Sequence, residues 1–80
     1  MRLSDAAKGS FLFVVALPPG EIKSQGIRLG LLPGAPIRCL SVLPGGPVVL
    51  LLGNQEIAVG RKLASRIQVR RWGGERSKDR

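Results

Sequence analysis

The sequence predicts an all-β fold, a small five-stranded barrel with one short helix after the first strand. Three observations carry this expectation. The chain has 80 residues, enough for one small domain with a thin core. Gly (11) and Pro (6) together exceed a fifth of it, so turns are many and elements short. Five apolar stretches of strand length are separated by Gly/Pro turns, and only one stretch has a helical pattern. At this size a barrel is favoured over an open sheet, because closure removes exposed edges. The barrel domain is expected over residues 1–72, followed by a disordered polar tail over 73–80.

The elements follow in order. Residues 1–9 read as a lead-in with one short turn, with Ser4 as its cap and Gly9 as its stop. Ser10–Leu17 is rich in Phe and Val and reads as a strand covered on both faces, with Phe11 and Phe13 in the core. Pro18-Pro19-Gly20 breaks it. Glu21–Leu29 reads as a short helix. Ile22 and Leu29 share a face, Glu21 suits the positive end of the helix dipole, and Gly30 is a natural stop. Gly26 in its interior costs about 1 kcal/mol relative to Ala.

Pro33-Gly34 has the order of a type II turn. Ala35–Leu43 is the second strand, Pro44-Gly45-Gly46 a turn, and Pro47–Leu52 the third strand. Gly53-Asn54 is a two-residue hairpin connection to Gln55–Val59, where Ile57 and Val59 form a dry face and Glu56 and Ala58 a wet one. Gly60–Ser65 is long enough for a single helical turn. Arg66–Arg71 alternates again, with Ile67 and Val69 inward and Arg66, Gln68 and Arg70 outward. Val48 to Leu52 is apolar at every position, so one of its two side-chain sets must face away from the barrel interior, under the helix or in a contact patch.

The composition excludes several chemistries. There is no His, so imidazole acid–base catalysis, His-centred triads and His-type zinc sites are ruled out. The five carboxylates (Asp5, Glu21, Glu56, Glu75 and Asp79) are scattered, and no nucleophile has a base beside it. No enzyme activity, cofactor or metal site is expected. The single Cys39 cannot form a disulfide within the chain and reads as a small buried hydrophobe. The longest apolar run, Phe11–Leu17, is far short of a membrane span and lacks the features of a signal peptide, so a cytoplasmic protein is expected.

The charge is informative. Thirteen basic residues face five acidic ones, for a net charge of +8. Eight of the basic residues fall in the last 20 positions: Arg61, Lys62, Arg66, Arg70, Arg71, Arg76, Lys78 and Arg80. Such a skew suits an acidic protein surface, anionic lipid or nucleic acid.

A family resemblance emerges from four segments taken together. Leu3-Ser4-Asp5 with Gly9 opens the chain, Gly30-Leu31-Leu32-Pro33-Gly34-Ala35-Pro36-Ile37 follows the helix, Pro44-Gly45-Gly46-Pro47 makes a turn, and Ala64, Ile67 and Val69 close the pattern. Their order and spacing resemble the ferrous iron transport protein A (FeoA) family, from about Leu3 to Val69. The chain departs from the family at Gln25-Gly26, where Arg-Leu is usual. It also has Gly60 followed by Arg61 where an Arg often stands, and Leu63 where an acidic residue often precedes the Ala. The resemblance implies an SH3-like barrel in the cytoplasm, similar to accessory subunits of a FeoB-type membrane transporter.

Two functional expectations result. The first is a module that binds and modulates the FeoB-type transporter, aided by weak contact with an anionic membrane surface. Its candidate contact residues are Arg28, Leu31 and Leu32, with Arg61 and Lys62 second. The alternative is a nucleic-acid-binding barrel that tracks a phosphate backbone with Arg61, Arg66 and Arg70 on and near the basic C-terminal strand. Against that alternative, only Trp72 is expected to be free for base stacking, and its simpler role is a plug that closes the barrel.

Overall fold

The structure is a computed structural model and describes residues 1–72. The expected polar tail over 73–80 lies outside the described residues.

Five strands form one antiparallel sheet. They are β1 (Phe11–Ala16), β2 (Pro36–Val42), β3 (Val48–Leu52), β4 (Gln55–Val59) and β5 (Gln68–Arg71). Helix α1 (Glu21–Leu29) follows β1, and a single turn, α2 (Arg61–Ala64), joins β4 to β5. The expected elements are all present, with ends moved by one or two residues. The sheet order is β4-β3-β2-β1-β5, so four strands meander and β5 returns beside β1.

The sheet curls around one core, because the two sides of each strand differ. Leu12 and Val14 of β1, Ile37 and Cys39 of β2, Val48 and Leu50 of β3, Val59 of β4 and Val69 of β5 are buried together. Leu3, Ala6, Leu31, Leu63, Ala64 and Ile67 fill the ends. A fully buried aliphatic side chain contributes about 1.5–3 kcal/mol relative to exposure, so this set is the main source of stability. On β3, Val49 and Leu51 form the outward set and are half-buried.

Closure differs from a continuous ladder. Among the described residues β4 and β5 do not pair. Instead Met1–Leu3 runs along the outer edge of β5, through Leu3 N–H to Ile67 O (2.9 Å) and Val69 N–H to Met1 O (2.7 Å). The edge that β5 would expose is thus covered by the start of the chain, and among the described residues β4 keeps a free edge.

The turns behave as their residues require. Gly34 has φ +90°, and Ala35 N–H donates to Leu32 O at 2.9 Å, which closes the type II turn. Gly30 has φ +90° at the end of α1, and Leu31 N–H reaches back to Gly26 O at 2.8 Å, a left-handed helix stop that favours glycine.

Three expectations are corrected. Strand β1 is not covered on both faces: Phe11, Val15 and Ala16 are exposed and Phe13 is only half-buried. The seven-residue apolar run Phe11–Leu17 signals burial on both faces, yet no element among the described residues packs over the outer face of β1. Second, Trp72 does not plug the barrel, since half of its surface (50%) is exposed. Third, the opening turn is a 3₁₀ turn at Leu3–Asp5 with no side-chain cap, so Ser4 lies within it and it ends at Ala6 rather than Gly9. Gly9 instead donates from its N–H to Cys39 O at 2.7 Å, which docks the lead-in beside β2.

Candidate functional site

Helix α1 is amphipathic. Ile22 and Leu29 pack against the core, whereas Gln25 and Arg28 remain exposed. The end of β4 and the short α2 lie opposite. Between them is an open, mostly apolar hollow of about 430 Å3. Leu29, Ala58, Val59 and Leu63 give it apolar walls, and Gln25, Arg28, Gly60 and Lys62 complete its lining. Arg28 and Lys62 are exposed, and neither has a carboxylate partner among the described residues. The hollow therefore combines apolar walls with two available cations. It suits an apolar side chain flanked by acidic groups.

The structure brings together some of the expected contact residues and separates others. Arg28 and Lys62 come from sequence positions 34 apart and meet at this hollow. Leu31 has no exposed surface and belongs to the core, so it has no contact surface to offer. Its neighbour Leu32 points outward and is 48% exposed on the turn after α1. Arg61 is half-buried, and its Nη2 donates to Leu43 O at 2.8 Å. Its Nε is buried and has no hydrogen-bond partner among the described residues. Arg61 therefore ties α2 to the turn between β2 and β3 and is not a free surface cation.

Ala58, Val59 and Leu63 were not among the expected site residues. The alternation in β4 already put Ala58 outward, but its facing Arg28 depends on how α1 crosses the barrel end. No sequence signal marks that crossing.

Among the described residues no three His, Cys, Asp or Glu side chains gather where they could hold an ion. Asp5 is engaged by Arg2, whose Nε lies 3.1 Å from Oδ2. Burial pushes the Cys39 thiol pKa above its ordinary value, which disfavours the thiolate that metal binding and nucleophilic attack require. No helix among the described residues is long and apolar enough to cross a membrane.

Comparison with known proteins agrees with this architecture. A family model described as the FeoA domain matches residues 1–71. The chain is similar to a crystal structure of an iron uptake regulatory protein (FeoA), with 34% identity over 88% of this chain and 95% of that one, at a TM-score of 0.82. It is similar to the solution structure of iron(II) transport protein A from Clostridium thermocellum, with 32% identity and a TM-score of 0.83. That match covers 92% of this chain and 47% of that one. The manganese-activated repressor ScaR in its apo form shares the fold at a TM-score of 0.81 but only 22% identity, over 89% of this chain and 35% of that one. No curated protein matches the chain. With a domain match across nearly every described residue and a relative above 30% identity spanned almost end to end, this chain belongs to the FeoA family, which is associated with ferrous iron transport.

Proposed function

We propose that the protein is a cytoplasmic accessory factor of ferrous iron transport, which acts non-enzymatically by binding and modulating a FeoB-type membrane transporter. The observation that carries this reading is the hollow between α1, β4 and α2, apolar within and rimmed by Arg28 and Lys62. A protein segment with an apolar side chain and adjacent carboxylates would gain burial and charge pairing there at once. The chain's net charge of +8 favours encounter with an acidic surface and with the anionic inner leaflet of a membrane. Family membership supports the iron transport setting.

The test is a titration of isotopically labelled protein with the cytoplasmic domain of the same organism's transporter, at physiological salt. Saturable amide shifts at Arg28, Leu29, Ala58 and Lys62 are expected. Absence of saturable shifts anywhere on the chain would remove the docking reading.

A further inference from the structure

The outward face of the sheet carries a row of side chains that transporter docking at α1 does not use. Trp72 N–H donates to Phe11 O at 3.1 Å, so Trp72, one residue beyond β5, lies beside Phe11 of β1. Phe11 is paired in register with Arg38 on its other side, Arg38 with Leu51, and Leu51 with Glu56. Cross-strand partners share a face. A second row beside it runs Arg70, Phe13, Pro36. The strand residues between these positions, Leu12 and Ile37, point into the core, so both rows face outward.

The chemistry of this face is specific. Phe11 and Trp72 are about half exposed (53% and 50%). The Arg38 guanidinium carbon lies 5.0 Å from the Phe11 ring centroid, in stacking position. A shallow hollow of about 260 Å3 is lined by Phe11, Pro36, Arg38, Leu51 and Trp72, and none of these lines the hollow at α1. Arg38 and Arg70 supply positive charge within the rows, and Arg71 adjoins Trp72. The only carboxylate in the rows is Glu56, at the far edge on β4.

We propose that the outer face of β1, β2 and β5 is a platform for single-stranded nucleic acid. Bases stack on Trp72 and Phe11, and phosphates meet Arg38 and Arg70. Aromatic rings interleaved with arginines on an open sheet offer π-faces to bases and cations to the backbone within one row. Arginines alternate with the rings within the rows, which suits the phosphates and bases of a strand better than insertion into a bilayer. A proline-rich peptide would use the aromatic hollow but leave the arginines without partners. This site differs from a basic C-terminal strand acting alone, because its stacking residues come from β1 and from the end of β5, and Arg61 takes no part.

The chain provides its own reporter, since Trp72 is the single tryptophan. A short mixed-sequence RNA, the DNA of the same sequence, and anionic phospholipid vesicles are each titrated at physiological salt. Saturable quenching of Trp72 fluorescence by either strand is expected. Labelled-strand anisotropy then reads variants. Trp72→Ala and Phe11→Leu should each weaken binding about tenfold, the loss of one stacked base. Phe11→Leu keeps an apolar strand residue and so keeps the fold. Lys23→Ala, which removes one exposed charge from α1, should weaken it less than about threefold. Strand binding without quenching, or equal losses in all three variants, would reduce the effect to bulk charge and overturn the proposal. A blue shift with vesicles and no response to either strand would overturn it in favour of a lipid surface.

Discussion

The Arg61 guanidinium donates a 2.8 Å hydrogen bond to the Leu43 carbonyl oxygen, linking residues 18 apart in sequence. It anchors α2, and with it the far wall of the α1 hollow, to the turn between β2 and β3. Arg61→Ala is expected to cost about 1.5 kcal/mol, the lower end of the range for a hydrogen bond involving a charged group. In a domain of this size that lowers Tm by several degrees, on the order of 4–8 °C per kcal/mol. Thermal unfolding followed by circular dichroism checks it. An unchanged Tm would return Arg61 to the list of free surface cations.

Gly26 and Leu17 set how closely α1 approaches the barrel. A Cβ at position 26 would occupy the space of the Leu17 Cδ2 methyl. Gly26→Ala gains about 1 kcal/mol of helix propensity but forces Leu17 out of its packing against the core. The substitution is expected to destabilise by about 1 kcal/mol in the native background. In a Leu17→Ala background the same change should stabilise, because the obstructing methyl is gone. A double-mutant cycle in urea measures both signs.

Cys39 gives the protein an alkaline sensitivity. Burial raises its thiol pKa, so the folded state holds its proton after the unfolded state has released it. Stability from this group is complete below the ordinary thiol pKa of about 8.5 and falls as pH rises beyond it. Cys39→Val removes the effect while filling similar volume. The stability difference between the two proteins, measured by urea unfolding from pH 7 to pH 10, should shift in favour of Cys39→Val as pH rises. A difference independent of pH would show that the thiol titrates normally in the fold.

The hollow at α1 is expected to respond to charge. Arg28→Glu and Lys62→Glu each remove an exposed cation from the rim and should weaken binding to the transporter's cytoplasmic domain about tenfold, with stability changed by less than about 0.5 kcal/mol. Calorimetric titration reads the affinity. Full affinity in both variants would exclude the hollow as the docking site.

Leu32 extends that question to the turn after α1. It is half exposed, so Leu32→Glu should abolish partner binding while leaving the fold intact. Leu31→Glu should instead unfold the protein, since Leu31 is fully buried and an ionised carboxylate there would have no partner. Unchanged affinity in Leu32→Glu would remove the turn from the docking surface.

Most of the fold was legible from local pattern. The alternation of Ile57 and Val59 with Glu56 and Ala58, and of Ile67 and Val69 with Arg66, Gln68 and Arg70, is a two-residue period that backbone geometry alone imposes on a half-buried strand. Gly30 and Gly34 mark left-handed turns because other side chains are strained there. These are short-range effects, and each can be read within a few residues.

The surface was not legible in the same way. Leu31 and Leu32 are chemically identical neighbours, yet one is in the core and the other faces solvent. Phe11 reads as core by hydrophobicity and is exposed, because no element among the described residues packs over the outer side of β1. The meeting of Arg28 with Lys62, and of Trp72 with Phe11 and Arg38, depends on long-range register and on how α1 crosses the barrel end. A strand's period places a side chain on one of two faces. Which face receives a covering layer, and which distant residues share it, is settled only when the whole sheet has curled and the helix has docked.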